Sequence, residues 1–276
     1  MMGESVRASC GKSSLNYMQK YGKNLEPSAF LITFFYFCRS YVEYYMRRTI
    51  HRTYDKSLIG GLAAARFPGK IVVILSEHEA DKAVEYLRTF PMVGIDTETR
   101  PSFRKGSTRK VALLQAATHE VCFLFRLNHL GLPPSVIALF EDASTLKIGL
   151  SLHDDLLSLR RRAGFEAVGF IDLQDCMEEL GIADKSLQKL YANFFGRRIS
   201  KRQQLSNWEN DILTDKQKDY AATDAWACLE LYEEYRRLLH DRNFDLIVTP
   251  RPTTGEATSP VVGSQSPCDE NQKHEL

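Results

Sequence analysis

Acidic residues interrupt three otherwise apolar segments of this chain, and they restrict the folds that it can adopt. Asp96 and Glu98 lie in VGIDTET, Asp155 lies in IGLSLHDDLLSL, and Asp224 follows Tyr220 in DYAATDAWACLEL. A buried carboxylate costs free energy unless it is paired, hydrogen-bonded or bound to a metal ion. Hard divalent cations such as magnesium and manganese prefer oxygen ligands, so carboxylates that meet from distant segments indicate a cation site.

The first acidic segment has the alternation of a β-strand. Apolar or β-branched residues occupy every second position of residues 93–97, and Asp96 and Glu98 take positions of the opposite parity. Side chains two positions apart in a strand point to the same face, so these two carboxylates are predicted to lie side by side. A bound cation would remove the repulsion between them. The alternative is a strand-end pair at an ordinary surface.

The second acidic segment has the spacing of a helix. Asp155 lies three positions after Leu152 and four before Leu159, on an apolar stripe. Its neighbour Asp154 falls on the polar face. We therefore interpret Asp155 as the inward carboxylate; the alternative is an ordinary acid on a helix surface.

The third segment also has helical spacing. Tyr220 and Asp224 are four positions apart, which places them on one helix face with apolar residues such as Leu231. That face is predicted to be buried, so Asp224 would need a partner. Without Asp224, Tyr220 would be interpreted as a core tyrosine with a satisfied hydroxyl.

The motifs GIDTET, GLSLHDD and YAATD occur in this order and resemble those of the DEDD exonucleases. The position that carries histidine in the histidine subgroup of that family is Asp219 here. The chain is therefore more similar to the tyrosine subgroup, which contains ribonuclease D and the Werner-type exonuclease domain. The resemblance covers about residues 70–239, and residues 206–226 are especially similar to the Werner-type sequence.

The resemblance implies a two-metal-ion mechanism that uses Mg²⁺ or Mn²⁺. Asp96, Glu98 and Asp224 would be ligands at the site that holds the attacking water. Asp96 would bridge to the second metal, and Asp155 would support that metal. Tyr220 would orient the water, because an unperturbed tyrosine titrates near pH ~10 and is a poor base at neutral pH. These five residues form the predicted catalytic set, and the four carboxylates are the predicted metal ligands.

The order of the predicted elements indicates an α/β fold. Strands are predicted at residues 71–75, 92–98, 111–117, 121–127, 146–149 and 168–172, and a long helix runs from 214 to about 239. Antiparallel strands followed by alternating strands and helices predict a mixed β-sheet flanked by α-helices. The family resemblance implies the ribonuclease-H-like form of this architecture.

Composition divides the chain into three predicted parts. Residues 1–65 are predicted to be a non-core N-terminal extension that is partly disordered or lies upstream of the true translation start. Residues 66–245 are predicted to form the exonuclease domain. Residues 246–276 are rich in Pro, Ser and Thr and are predicted to be a disordered tail. The apolar run at 29–38 is much shorter than the roughly 20 residues that span a bilayer, so no membrane partner is expected.

Cysteine usage bears on the compartment. The six cysteines form no CxxC pair, and several lie in apolar segments as small buried residues. This pattern argues against a disulfide framework and against zinc, and it fits a reducing, intracellular environment. The cytoplasm is therefore expected, with the nucleus or an organelle left open.

A nucleic-acid partner must be bound by local basic patches or by the metal ions, because the formal net charge is only +1. Phosphate contacts supply most sequence-independent affinity, and an aromatic ring can stack on a base. The alternative for each residue is an ordinary solvated surface. The candidates are Phe103, Arg104, Lys105 and Arg109 after the first acidic motif, and Arg198, Lys201 and Arg202 before Trp208.

These features predict a metal-dependent 3′–5′ exonuclease that removes nucleoside 5′-monophosphates from the 3′ ends of DNA or RNA. The alternative is a catalytically silent exonuclease-like module that binds nucleic acid or a partner protein. Such a module would be expected to have lost an acidic position, and all four are present. We recognise no polymerase or helicase segment in the sequence, so a helicase or polymerase partner would act in trans.

Overall fold

The computed structural model describes residues 47–102 and 109–248, in which strands and helices alternate. The predictions for residues 1–46, for residues 249–276 and for Phe103, Arg104 and Lys105 concern parts of the chain outside these ranges. The strands are β1 (Arg48–His51), β2 (Ala63–Ala64), β3 (Lys70–Ile74), β4 (Met92–Glu98), β5 (Leu113–Ala117), β6 (Val121–Phe125), β7 (Leu146–Gly149), β8 (Phe170–Asp172), β9 (Arg197–Arg198) and β10 (Phe244–Ile247). The helices are α1 (Glu77–Leu87), α2 (Leu127–Leu130), α3 (Pro134–Phe140), α4 (Leu152–Arg160), α5 (Leu173–Glu179), α6 (Leu187–Phe195) and α7 (Asp215–Asp241), with a 3-10 helix at Lys56–Gly61.

A six-stranded mixed sheet in the order β3-β6-β5-β4-β7-β8 forms the centre of the fold. β5 pairs antiparallel with both of its neighbours, and the other adjacent pairs are parallel. β5 therefore runs against the other five strands, and the carboxyl ends of β4 and β7 lie beside each other. This arrangement, with helices against the sheet, confirms the predicted α/β fold.

Helices cover the sheet in two apolar layers, and β4 contributes to both. Val93 and Ile95 pack in the layer that contains α1, α3 and α4. Met92 packs in the other layer, which contains α5, α6 and α7. Since side chains alternate along a strand, Asp96 and Glu98 belong to the face that α7 covers.

Helix α7 crosses β4 at very close range, and Gly94 permits this approach. A Cβ atom at Gly94 would lie 2.0 Å from the carbonyl oxygen of Ala225 and 3.2 Å from the Cβ of Leu229. No larger residue fits in this contact without moving the helix. The close crossing brings the middle of α7, where Asp224 lies, against the strand that carries the first two acids.

The predicted elements of the sheet agree with the observed ones, apart from shifts at their ends. The strand predicted at 111–117 begins at Leu113, and the strand predicted at 168–172 begins at Phe170. Capping boxes are present at the starts of α1 and α7, where Ser76 and Thr214 are the N-cap residues. They support both helices by satisfying backbone N–H groups that have no intrahelical partner.

Residues 47–66, here called the N-terminal strap, pack against the domain. β1 pairs in parallel with β10, and β2 pairs in parallel with β9. Ile50 lies in the core with 1% of its surface exposed. The Asn193 side chain accepts a hydrogen bond from the His51 N–H at 2.9 Å and donates one to the His51 carbonyl at 2.7 Å. For residues 47–65 the structure thus differs from the predicted non-core extension, because strand pairing and burial hold them in place.

The domain boundaries at residues 66 and 245 stay a prediction. β10 continues past the predicted end of the exonuclease domain to Ile247. In the described residues, the thiols of Cys122, Cys176 and Cys228 are free, and their burial agrees with the prediction for cysteines in apolar segments. No helix within residues 47–102 or 109–248 combines the length and apolar composition required to cross a bilayer.

Candidate metal centre

Three of the predicted carboxylates converge where α7 crosses β4. Asp96 and Glu98 from the strand and Asp224 from the helix each contribute one oxygen, and these oxygens lie within 4.8 Å of one another. Glu98 and Asp224 are buried, and Asp96 is half-buried. The period-two alternation of β4 and the close contact at Gly94 together produce this arrangement.

Burial raises the pKa of all three carboxyl groups, and repulsion from neighbouring carboxylates adds to the rise at Asp96 and Glu98. Burial, followed by the charges of the neighbouring aspartates, raises the pKa of Glu98 to about 10. Burial also raises the pKa of Asp224 to about 7. The pKa of Asp96 is raised well above its usual range by burial and then by the charges of Asp224 and Asp155. A cation among these groups would replace the protons that they otherwise retain.

One oxygen of this group lacks a partner. Oδ1 of Asp224 is buried and forms no hydrogen bond with any described residue. Buried polar atoms nearly always have a partner, so such an atom indicates an ion or a water. The three carboxylates offer the oxygen donors that magnesium and manganese prefer, and we therefore find that they fit a divalent cation.

Asp155 lies next to this group rather than within it. It occupies the first turn of α4, and the Thr97 hydroxyl donates a hydrogen bond to its Oδ1 at 2.7 Å. Burial raises the pKa of Asp155 to about 6, and its charge contributes to the raised pKa values of Asp96 and Glu98. Asp155 is half-buried, whereas its neighbour Asp154 is exposed.

The start of α4 is fixed by a carboxylate at the end of β8. The two oxygens of Asp172 accept hydrogen bonds from the backbone N–H groups of Ser151 at 2.9 Å and Leu152 at 2.8 Å. Ser151 has a left-handed backbone with φ 62°, which is uncommon for a residue with a side chain. Asp172 thus holds an unusual turn between β7 and α4, and this turn orients the helix that carries Asp155.

Tyr220 lies one turn before Asp224 on α7. Its ring centroid is 6.0 Å from that of Trp208, which is fully buried. Burial, followed by the negative charges of Asp224 and Glu98, raises the pKa of the phenol above its ordinary value. Tyr220 therefore keeps its proton at neutral pH, and its hydroxyl remains a hydrogen-bond donor.

A cavity of about 360 Å³ opens over the three carboxylates. Tyr220 forms part of its wall, and Lys185 and Lys201 lie among the other lining residues. The Lys201 charge counteracts part of the rise in the pKa of Asp224, and Lys201 Nζ donates to Ser186 Oγ at 3.2 Å. The cavity thus combines acidic groups that fit cations with cationic groups that fit a phosphate. We refer to it as the carboxylate cavity.

The predicted nucleic-acid residues separate into different places. Of the four that the structure describes, Lys201 lines the carboxylate cavity, and Arg198 and Arg202 line a neighbouring cavity. Arg109 forms an ion pair with Glu209 at 3.6 Å. One of the four basic candidates therefore lies at the carboxylates and two lie in the neighbouring cavity. The fourth, Arg109, is paired with an acid.

Two polar residues near the site, Thr97 and Gln115, were not predicted from the sequence. Thr97 holds Asp155, and its only sequence signal was its position between two acids. Gln115 pairs with Asp96 across β4 and β5, is fully buried, and has no hydrogen-bond partner for either polar side-chain atom within the described residues. A lone glutamine inside the apolar run VALLQAA was the available signal.

Comparison with known proteins agrees with this geometry. A protein-family model described as 3′–5′ exonuclease matches residues 71–240. The Drosophila melanogaster exonuclease 3′-5′ domain-containing protein 2 is 34% identical over 163 residues, which cover 58% of this chain and 28% of that protein. The mouse bifunctional 3′-5′ exonuclease/ATP-dependent helicase WRN is 32% identical over 182 residues, which cover 62% of this chain and 13% of that protein.

A solved structure shows the same fold. The Nibbler EXO domain of Aedes aegypti matches with a TM-score of 0.58 and 21% identity, over 65% of this chain and 94% of that domain. The chain spans less than a third of each of the two curated relatives described above. Since the family model covers more than half of the 276 residues, the chain belongs to the 3′–5′ exonuclease family of the DEDD superfamily.

Proposed function

We propose that this protein is a metal-dependent 3′–5′ exonuclease of the tyrosine subgroup, which releases nucleoside 5′-monophosphates from the 3′ ends of DNA or RNA. The observation that carries the proposal is the convergence of Asp96, Glu98 and Asp224 within 4.8 Å, with Tyr220 one helical turn before Asp224. Residues of the first and third family motifs thus line one cavity, and Asp155 of the second motif lies beside them through its hydrogen bond from Thr97. In this proposal residues 66–245 form the catalytic domain, and the strap supports it.

The carboxylates would bind two divalent cations, Mg²⁺ or Mn²⁺. Asp96, Glu98 and Asp224 would hold one, and Asp96 with Asp155 would hold the other. Cations bound there supply Lewis-acid stabilisation to the attacking and leaving oxygens of an in-line displacement. Thr97 and Asp172 keep Asp155 at the edge of this group through the hydrogen bonds described above.

The remaining residues act on the water and the phosphate. Tyr220 keeps its proton, so it orients the attacking water by hydrogen bonding rather than by removing a proton. Lys201 supplies a positive charge to the scissile phosphate. Water forms the new phosphorus–oxygen bond, and the 3′ oxygen of the preceding nucleotide leaves and takes a proton. The product is a nucleoside 5′-monophosphate.

The test uses a 5′-labelled single-stranded DNA and the matching RNA, with and without Mg²⁺ or Mn²⁺. We expect a ladder that shortens from the 3′ end and disappears with chelator or in Asp96→Ala. Asp155→Asn is expected to abolish the ladder, and the exposed Asp154→Asn is the matched control that should retain it. The comparison of DNA with RNA also measures the sugar preference.

The alternative function is a silent module that binds nucleic acid or a partner protein, including a helicase or polymerase in trans. A folded protein that gives no ladder with either polymer or either metal would support this alternative. An unchanged ladder in Asp96→Ala would instead show that the nuclease activity comes from elsewhere or from a contaminant. Both outcomes would overturn the proposed active site.

A further inference from the structure

A second cavity adjoins the carboxylate cavity at Tyr220, which lines both. It has a volume of about 290 Å³ and shares Ile199, Ser200 and Tyr220 with the carboxylate cavity as common wall residues. A ligand that extends out of the carboxylate cavity past this wall would therefore enter the second cavity. We call it the strap cavity, because residues 64–66 of the N-terminal strap form part of its lining.

The strap cavity is strongly basic. Four cationic side chains line the strap cavity, and the lining includes one carboxylate, that of Asp219. Among the ion pairs within residues 47–102 and 109–248, none uses Arg66, Arg202 or Lys216. These three side chains are exposed, so their charges are available to a ligand. The four cationic residues are Arg66, Arg198, Arg202 and Lys216.

Hydrogen bonds hold the strap at this position. The Ala65 N–H donates to the Arg198 carbonyl at 2.8 Å, which extends the pairing of β2 with β9. Arg198 Nε donates to the Leu62 carbonyl at 2.9 Å, and this contact fixes the guanidinium at the cavity wall. The Phe67 N–H donates to Thr223 Oγ1 at 3.1 Å, next to Asp224 on α7. The strap is therefore attached to β9, and Phe67, the residue that follows it, is attached to the helix that carries Asp224.

The strap also lies outside the segment that the family model matches, which begins at residue 71. Arg66 and the alanines before it thus lie outside the matched segment. The family resemblance alone assigns them no role. Their place beside Tyr220 indicates a role in holding the substrate rather than in the chemistry.

We propose that the strap cavity is a phosphodiester-binding subsite for the strand whose 3′ end occupies the carboxylate cavity. This inference rests on the proposed function. Arginine guanidinium groups match phosphate oxygens in charge and in hydrogen-bond geometry, and they do so without base specificity. A backbone phosphate could come from the cleaved strand or from a complementary strand. The shared wall favours the cleaved strand, because Ile199, Ser200 and Tyr220 line both cavities.

The test compares Arg66→Ala and Lys216→Ala with the control Arg52→Ala. Arg52 is an exposed arginine of the same strap that does not line either cavity. Two substrates are used: an eight-nucleotide single strand, and the p-nitrophenyl ester of thymidine 5′-monophosphate, which is too short to extend beyond the carboxylate cavity. The ratio of kcat/KM for the strand to that for the ester is expected to fall about tenfold in each cavity variant. The ratio should stay at the wild-type value in Arg52→Ala.

A binding measurement separates this inference from the proposed function. Binding of the labelled eight-nucleotide strand is measured in chelator at several salt concentrations, where no hydrolysis is needed. Arg66→Ala is expected to weaken binding and to reduce the salt slope by about one contact. Equal binding by Arg66→Ala, Arg52→Ala and wild type would overturn the subsite even if the enzyme is active. Loss of binding in the cavity variants of an inactive protein would retain the subsite and reject only the proposed function.

A duplex with a recessed 3′ end identifies the source of the phosphate. If the cleaved strand supplies it, Arg66→Ala weakens binding of the single strand and of the duplex by similar factors. If the defect appears with the duplex alone, the phosphate belongs to the complementary strand. That result would overturn the assignment to the cleaved strand.

Discussion

Replacement of Gly94 by alanine is expected to separate the metal ligands without removing any of them. The added Cβ would lie 2.0 Å from the Ala225 carbonyl oxygen and 3.2 Å from the Leu229 Cβ. Since ordinary contacts of this kind lie near ~3.5 Å, α7 must move away from β4 by more than about 1 Å. Asp224 precedes Ala225 and would move with it. Metal sites tolerate shifts of only about 0.2 Å in ligand distance, so the centre should not survive this change intact.

Gly94→Ala is expected to lower both the stability of the fold and the affinity for the metal. Overpacking of a close contact costs about 1–3 kcal/mol, and each kcal/mol lowers Tm by about 2–4 °C in a domain of this size. Metal affinity is expected to fall about 10- to 100-fold, the usual cost of disturbing the groups that orient ligands. Urea unfolding and calorimetric titration with Mn²⁺ measure the two effects separately.

Gly164→Ala is the matched control, because a Cβ at that exposed glycine meets no atom within 4 Å. It should leave both measurements at their wild-type values. If Gly94→Ala also binds Mn²⁺ with wild-type affinity, the close crossing of α7 over β4 does not determine where Asp224 lies. Other contacts would then have to position the metal ligands.

Three further predictions follow from individual contacts. Thr97→Val removes the hydroxyl that donates to Asp155 and should raise the pKa of that carboxyl. The acidic limb of the activity–pH profile should then move to higher pH. Thr97→Ser keeps a hydroxyl and should restore the wild-type profile. Gln115→Met replaces two buried polar atoms that have no described partner and should stabilise the metal-free protein by about 1–3 kcal/mol in urea unfolding; a loss of stability would show that Gln115 is satisfied, for example by water. Burial raises the pKa of Asp224 to about 7 and that of Glu98 to about 10. Above pH ~4 the metal-free folded state therefore binds more protons than the unfolded chain. Its Tm should consequently fall as the pH rises to 7. Added Mg²⁺ should stabilise the protein more at pH 7 than at pH 5, and a metal-free Tm that rises over this range would contradict the burial of these carboxylates.

Local periodicity was sufficient to predict the faces on which the site residues lie. In β4 the alternation of period two separates Val93 and Ile95 from Asp96 and Glu98, and the structure shows the same separation into two layers. In α4 the spacing of apolar residues distinguished Asp155 from Asp154. Such predictions succeed because the period of a strand or helix is a local property of the backbone.

The meeting of these faces is not a local property. It depends on the sheet order that places β7 beside β4, and on a glycine where α7 crosses. Gly94 appeared in the sequence only as one member of an alternating strand, with no sign that a helix backbone would approach it. The unusual backbone of Ser151 and its anchor Asp172 were equally hidden, because they come from segments about 20 positions apart that meet only in the folded sheet.

The sequence did not predict the pairing of the strap, because this pairing also joins distant segments. β1 and β10 have four residues each and pair from opposite ends of the described chain, while β2 and β9 have two residues each. Short strands carry little periodicity, and pairing between distant segments leaves no turn signal between them. Composition alone therefore assigned residues 47–65 to an extension, although Ile50 packs in the core.

The strap and the net charge bear on the same question of substrate capture. A formal charge of +1 supplies little long-range attraction for a polyanion. We therefore expect affinity from local basic groups, and among the described residues Lys201 and the strap cavity supply such cations close to the carboxylates. A small number of phosphate contacts implies a shallow dependence of binding on salt, since the slope scales with the number of contacts. Removal of one strap arginine should consequently abolish a larger share of the total affinity than it would in a protein with an extended basic surface.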